Sequence, residues 1–354
     1  MNKRNLILLA GAVAVLLVVS IVQNTSHRRR VRASDTRPVL AVDFQQDDVN
    51  RVAIAYGADT TGVVLERLPD KWVVRSAWSH PADKKKIVDL LQELQDLRGE
   101  FRSSDASVLP DYGFTDSTAV RITVFGKEWQ PLFTLEVGNR PKRGGGAFVR
   151  LKDDPTVYLT RANVLGRLGL YSGPDRPKNR YFLDLQVWKA DRLDVDALTI
   201  VDGDTTLRLE KVFPQRKAAP ADSTGADSTA AAKETGPDRN TWEWVLVEGD
   251  HRTPLAKTKC DAVLNAAVNI QAADIADPDA PLEEYGLWKA PRHFKVTLHD
   301  GTEFEMRFGK KRENEKDRPG GTYMMTSRDR TVWVVRDYKV NQLFKAKKDL
   351  LPES

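Results

Sequence analysis

The hexapeptide LPDYGF occupies residues 109–114, and a matching hexapeptide, LEEYGL, occupies residues 282–287. In each copy a tyrosine-glycine pair stands between large apolar residues, and Tyr112 and Tyr285 are 173 residues apart. Glycine suits a backbone that needs positive φ or a close approach to another chain segment. We therefore predict that Tyr112-Gly113 and Tyr285-Gly286 form a structural turn pinned to the core, in preference to a binding loop.

Five further landmarks recur in the same order as the hexapeptide. Paired residues are always 171 to 175 positions apart: Trp72 with Trp244, Ile122 with Val296, Phe133 with Phe304, Gly145 with Gly320, and Val157 with Val332. So constant a spacing indicates that a unit of about 120–150 residues is duplicated in tandem.

A helical pattern lies inside each copy. Its first apolar stripe has helical spacing and follows Asp83, a good N-cap residue: Ile87, Leu90, Leu91, Leu94 and Leu97. A shift of 173 residues carries Ile87 onto Cys260, the only cysteine of the chain. We therefore expect Cys260 to be a small buried core residue and not a nucleophile.

Alternating apolar residues predict strands around these helices, as in Phe133, Leu135 and Val137. The expected fold class is α+β: two tandem repeats, each an antiparallel β-meander with one packed helix and a short closing helix, preceded by one transmembrane helix. The closing helices are expected near residues 162–170 and 338–347. The predicted organisation is an anchor with a basic flank at 1–32, a first repeat at 45–170, a connector at 171–194, a second repeat at 195–347 and, within it, a disordered insertion at 214–241 of low complexity.

The anchor is predicted from Leu6–Val22, a run in which Ser20 is the only polar residue. Its length is near the minimum for a hydrocarbon core of about 30 Å, and no A-x-A cleavage pattern follows. We expect an uncleaved single-span anchor that contacts the bilayer through residues 6–22. The cations on both sides of the run leave the orientation open.

The formal charge of +5 does not indicate a nucleic-acid partner. Six basic residues precede the first acidic residue, Asp35, and the remaining 49 basic residues face 50 acidic ones. The folded part is therefore nearly neutral, which argues against a surface for a polyanion.

Two glycine-rich hairpin tips carry the candidate functional residues. RPKRGGGAF begins at Arg140, and its counterpart GKKRENEKDRPGGTY begins at Gly309. Either these tips are merely solvated or they contact an anion, a lipid headgroup or an acidic partner, through the basic residues Lys142, Arg143, Lys310, Lys311, Arg312 and Arg318.

No catalytic, metal or cofactor motif is present in the sequence. His293 and His299 are six residues apart on a predicted strand, about 20 Å, which is too far to share a metal. Trp129 and Trp288 stand at loop positions and are expected to be exposed. A hydrolase remains an alternative if folding assembles scattered acids, the candidates being Asp111, Asp116, Glu283 and Glu284.

The repeated elements together resemble the bacterial domain-of-unknown-function family 4340. The resemblance rests on Trp72-Val73, on residues 109–114, 135–138 and 144–160, and on their second copies, and it covers roughly residues 49–347. It implies a single-span protein of the bacterial inner membrane with an extracytoplasmic soluble part. It also implies an accessory role beside ABC-type transport components of the gliding-motility type, and no catalytic residues.

From these observations we expect a membrane-anchored, non-enzymatic envelope protein that works through protein contacts, with an ABC-type transporter component as partner. The alternative is a module that binds envelope glycan or lipid, which predicts an apolar or aromatic-lined groove.

Overall fold

The computed structural model describes residues 36–40, 42–59, 62–214 and 239–353. The chain divides between Asp184 and Leu185 into two units, here called the first and the second unit. Each unit is built around one large antiparallel sheet.

The first unit has ten described strands in one sheet, ordered β1-β6-β10-β9-β8-β7-β2-β3-β4-β5. The strands are β1 Thr36–Pro38, β2 Arg51–Tyr56, β3 Val63–Arg67, β4 Trp72–Val74, β5 His80–Pro81, β6 Arg98–Ser103, β7 Val120–Phe125, β8 Pro131–Val137, β9 Ala147–Leu151 and β10 Val157–Thr160. The helices are α1 Lys84–Gln95, α2 Val164–Arg167 and α3 Asn179–Phe182, with 3-10 turns at Gln46–Asp48, Ala106–Tyr112 and Lys127–Trp129.

The second unit has a nine-stranded sheet, ordered β15-β14-β13-β12-β18-β19-β20-β21-β17, and a separate β11-β16 pair. The strands are β11 Gln186–Lys189, β12 Val195–Asp202, β13 Thr205–Val212, β14 Glu243–Glu248, β15 His251–Pro254, β16 Asn269–Gln271, β17 Asp274–Ile275, β18 Arg292–Leu298, β19 Glu303–Arg312, β20 Gly321–Thr326 and β21 Trp333–Val335. The helices are α4 Lys257–Ala267, α5 Asp337–Leu343 and α6 Lys347–Leu350, with a 3-10 turn at Arg192–Asp194.

Both sheets follow one plan. Two four-stranded meanders, β2–β5 and β7–β10, are joined by pairing of β2 with β7; in the second unit β12–β15 and β18–β21 are joined by pairing of β12 with β18. The long helix follows the first meander in each unit. The order of elements therefore repeats as the sequence spacing predicts.

Equivalent side chains occupy equivalent places in the two cores. Trp72 and Trp244 are both buried in the third strand of the first meander, and Leu91 and Leu264 are both buried on the long helix. Asp83 caps its helix by accepting hydrogen bonds from two backbone amides, as predicted. Cys260 is fully buried, and burial, followed by the nearby Asp261 carboxylate, raises the pKa of its thiol to about 12. This thiol is unsuited to nucleophilic attack.

The expected α+β fold class is wrong. The described chain is mostly antiparallel sheet, and its longest helix has only 12 residues. The helical stripes are real, but each yields one short helix beside a sheet of nine or ten strands, several of them too short to show a pattern of period two. None of the described helices is long and apolar enough to cross a membrane, and the predicted span at residues 6–22 lies outside the described residues.

Candidate interaction surfaces

The Tyr-Gly turn of the first unit is held by its own backbone. Gly113 ends a 3-10 turn in the left-handed region, at φ 84°. The carbonyl of Tyr112 accepts a hydrogen bond of 2.8 Å from the amide of Asn139, just after β8. A Cβ placed on Gly138 would lie 2.3 Å from that carbonyl oxygen, so only glycine permits this approach.

The second unit repeats the left-handed glycine, the hydrogen bond and the close approach. Gly286 has φ 68°, and the carbonyl of Tyr285 accepts a hydrogen bond of 2.8 Å from the amide of Lys310. A Cβ on Gly309 would lie 2.1 Å from the Tyr285 oxygen. Gly138, directly after β8, and Gly309, within β19, are thus the glycines that the Tyr-Gly turns approach.

Each turn also carries a small apolar cluster. Phe114 packs with Val157 in the first unit, and their equivalents Leu287 and Val332 pack together in the second. Tyr112 and Tyr285 each place their ring 4.7 Å from an aromatic ring of the following hairpin, Phe148 and Tyr323 respectively. The turn is a structural clamp in both units, and its acidic neighbours Asp111, Asp116, Glu283 and Glu284 all point to solvent.

The first hairpin tip leaves its cations free. Lys142 and Arg143 are exposed beside Gly144 and Gly145, and no described residue forms an ion pair with either. Nothing lies within 4 Å of the position that a Cβ on Gly144 or Gly145 would take. These two charges are therefore available to a partner.

The second hairpin uses most of its cations internally. Arg312 is almost fully buried, forms a 2.8 Å ion pair with Asp274 and donates to the carbonyl of Pro319. Lys311 lies 3.4 Å from the carboxylate of Asp337, and Lys310 donates to the carbonyl of Glu283. Arg318 is exposed at the tip, where its backbone pairs with that of Glu315. The two tips are equivalent in position, but three of the four candidate cations of the second tip are engaged, whereas both of the first tip are free of described partners.

A cavity of about 370 Å³ lies close to the first tip. It is lined by the chain between Leu168 and Tyr181, including the exposed ring of Tyr171. The guanidinium of Arg140, which begins the hairpin, reaches the carbonyl of Leu170 in the cavity wall at 3.3 Å. Burial raises the pKa of Tyr181 to about 12, and its hydroxyl donates to the carbonyl of Gly166.

Hairpin and cavity together form one basic surface of the first unit. We define it by the residues Arg140, Lys142, Arg143, Arg161, Arg176, Lys178 and Arg180, with Arg161 lining a smaller cavity beside Arg140. Asp59 forms an ion pair of 3.1 Å with Arg176, and Asp175 accepts from the backbone of the same residue. Cations therefore outnumber the acids described on this surface.

Family comparison agrees with the duplicated geometry. A family model described as Domain of unknown function (DUF4340) matches residues 72–235 and 244–352. The chain belongs to this family. The two matches begin at Trp72 and Trp244, which occupy the same strand of the two units, so DUF4340 is present in two tandem copies. No curated protein and no solved structure matches the chain.

The second unit contains a charged cluster that the sequence pattern did not reveal. The ammonium of Lys211 lies 4.0 Å from the ring centre of Trp242, and it donates to the carbonyl of Arg192. Burial lowers the pKa of Lys211 to about 8. Asp261 accepts hydrogen bonds from the indoles of Trp242 and Trp244. Lys211 is 31 residues from Trp242 in the chain, so only the pairing of β13 with β14 shows that these side chains meet.

The remaining candidate residues of the two units either contact neighbouring groups or are exposed to solvent. His293 contacts Glu305 and the carbonyl of Ala290, whereas His299 contacts Asp196. No group of acidic, histidine or cysteine side chains in the described ranges is arranged to hold a metal ion. Trp129 and Trp288 are exposed as predicted, and the guanidinium of Arg51 lies 5.2 Å from the ring of Trp129.

Proposed function

We propose that this DUF4340 protein is a membrane-attached, non-enzymatic protein of the bacterial envelope that works by binding an acidic partner protein. The observation that carries the proposal is the basic surface of the first unit. Its exposed charges at Lys142 and Arg143 lack described partners, while the matching cations Lys311 and Arg312 each pair with an acid of the second unit. Unpaired charge at a projecting tip steers association with a surface of opposite sign.

We place the partner among the membrane components of an ABC-type transport system, following the resemblance stated above. Membrane attachment is assigned to the apolar residues 6–22, and the two units to the extracytoplasmic side. A reporter fused after Ser354 tests the orientation. Activity of a reporter that works only in the cytoplasm would contradict it.

The test of partner binding is charge reversal with crosslinking in intact membranes. The variant Lys142→Glu with Arg143→Glu is expected to lose the crosslinked partner that the native chain retains after mild detergent extraction. The matched control reverses two exposed lysines of the second unit, Lys289 and Lys316, and changes the net charge equally. Recovery of the native chain alone, or equal recovery of partner with both variants, would contradict the proposal.

A second candidate is binding of anionic lipid by the same basic surface. The observation that favours it is the ring of Tyr171, 72% exposed beside Arg176 and Arg180 in the cavity, because tyrosine with nearby cations is typical of membrane interfaces. Flotation of the purified protein with vesicles separates the two. Binding to anionic vesicles that is lost in the Lys142→Glu, Arg143→Glu variant would favour lipid over protein.

A further inference from the structure

A second cavity of the first unit, of about 160 Å³, lies beside the turn between β3 and β4. Arg67, Asp70 and Trp72 line it from the turn and its strands, and Lys84 and Val88 line it from α1. It is separate from the basic surface and uses none of its residues.

Strand register shows what fills the same place in the second unit. Arg67 is paired with Trp72 across β3 and β4, and Lys211 is paired with Trp244 across β13 and β14. Arg67 and Lys211 are 144 positions apart, whereas Trp72 and Trp244 are 172 positions apart, a difference of 28. That difference equals the length of the insertion at residues 214–241. Outside the insertion, the position of Asp70 therefore corresponds to Trp242.

The indole of Trp242 is only 5% exposed in that place. Lys211 and Lys257 hold their ammonium groups 4.0 and 4.2 Å from its ring centre, and its Nε1 donates to Asp261 at 3.1 Å. A cation this close to an aromatic face attracts the ring.

The cavity of the first unit keeps two of these cations without the ring, and its lining also includes Asp47, which pairs with Arg67 at 3.3 Å. Arg67 stands at the place of Lys211, and Lys84 stands at the place of Lys257, each pair being related by the repeat. Val88 stands at the place of Asp261, so the helix offers no carboxylate to an indole N–H here. A cavity of about 150 Å³ is large enough to hold benzene. The geometry therefore suits a phenyl ring better than an indole.

We expect a ring that enters this cavity to come from another molecule. Residues 1–35, 41, 60–61, 215–238 and 354, which the structure does not describe, contain no phenylalanine, tyrosine or tryptophan. We propose that this cavity binds a phenylalanine side chain of a partner protein, between the cations Arg67 and Lys84. The proposal rests on the function proposed above, because it assigns a second contact to the same protein partnership.

The test is titration of the full chain in detergent micelles with N-acetylphenylalaninamide, followed by NMR shifts of the backbone amides of Lys71, Trp72 and Val88. Saturable shifts are expected at these amides. The matched probe is the cyclohexylalanine amide, which has a similar shape but no aromatic face. It is expected to bind about two- to fivefold more weakly.

Two variants locate the binding. Asp70→Trp supplies the ring that the second unit carries and is expected to weaken binding of the phenyl probe at least tenfold. Lys84→Met keeps the side-chain length and removes the charge, so it is expected to weaken the phenyl probe and leave the cyclohexyl probe unchanged. This second variant lies on the helix surface and keeps the test open if Asp70→Trp fails to fold.

Absence of shifts at the three amides would overturn the proposal, as would equal affinity for the two probes or unchanged binding in Lys84→Met. The Lys142→Glu, Arg143→Glu variant should bind the phenyl probe like the native chain. Failure of partner crosslinking with intact probe binding would thus reject the charge-based function alone, and the reverse would reject the cavity alone.

Discussion

The two units share strand order, helix position and the Tyr-Gly clamp, yet they differ where the repeat meets solvent. At the β3–β4 turn the first unit has a cavity, and the second has Trp242 among cations. At the glycine-rich hairpin the first unit projects free Lys142 and Arg143, and the second buries Arg312 against Asp274. The two units are alike at interior positions and differ at these peripheral ones, because interior side chains are constrained by close packing on every side.

The largest difference between the two units is expected when the ring is removed from the filled site of the second unit. Trp242→Ala is expected to lower the free energy of unfolding by about 3–5 kcal/mol, because a buried indole and its hydrogen bond are lost. Asp70→Ala, at the equivalent exposed position, should change it by less than about 0.5 kcal/mol. Urea unfolding followed by circular dichroism measures both. Similar small effects would mean that the two sites are not equivalent in the way register indicates.

The hairpins offer the next contrast. Arg312→Ala should cost about 3 kcal/mol, because it leaves the Asp274 carboxylate unpaired where little water reaches it. Arg143→Ala removes an exposed, unpaired charge and should be neutral within about 0.5 kcal/mol. Thermal unfolding of the two variants at one pH is sufficient. A large loss in Arg143→Ala would show that the first tip is also used internally.

The Tyr-Gly clamp should respond alike in both units. Gly138→Ala and Gly309→Ala are each expected to lower stability by about 2 kcal/mol, because the added Cβ collides with the carbonyl of Tyr112 or Tyr285. Gly145→Ala has open space and a backbone outside the left-handed region, so it serves as the control. If only one of the two clamp variants is unstable in urea, the clamp is not a shared requirement.

The smallest effect concerns the buried lysine. Below about pH 8 Lys211 is charged in both folded and unfolded chains, and its burial penalises the folded state. Above its lowered pKa of about 8 the unfolded chain, with an ordinary lysine pKa near 10.5, binds more protons, so stability should rise with pH.

The rise is expected to be on the order of 1–2 kcal/mol between about pH 8 and pH 10. It is measured as the difference in the free energy of unfolding between the native chain and Lys211→Met, which lacks the titrating group. Arg67→Met removes the cation at the equivalent place of the first unit and leaves Lys211 in position, so this control should keep the native pH dependence. A flat difference for Lys211→Met would show that the ammonium is not desolvated.

Much of the interior was predictable from residue spacing. The landmark offsets, the helical stripe through Cys260 and the equivalence of Trp72 and Trp244 all follow from period and duplication. The extent of the sheets was not predictable, because strands of two or three residues such as His80–Pro81 and Asp274–Ile275 carry no periodic signal. The expected α+β class failed for that reason.

The candidate sites were predictable only as positions. The sequence places cations at both hairpin tips, but whether a cation is free depends on acids that are distant in the chain, as Asp274 is from Arg312. The cavity beside Lys84 and the site filled by Trp242 are at equivalent positions. This equivalence is visible only from the pairing of β3 with β4 and of β13 with β14, because the insertion changes the residue spacing between them.

Spacing alone thus established that one building block occurs twice, with a glycine-dependent turn in each copy, because period and glycine content are local properties of a chain. Tertiary packing decided which hairpin cations are unpaired. It also decided which unit has a cavity where the other has a buried tryptophan. The reason is physical: the state of a side chain depends on the neighbours that long-range strand pairing brings within a few ångströms, and those neighbours are not neighbours in sequence.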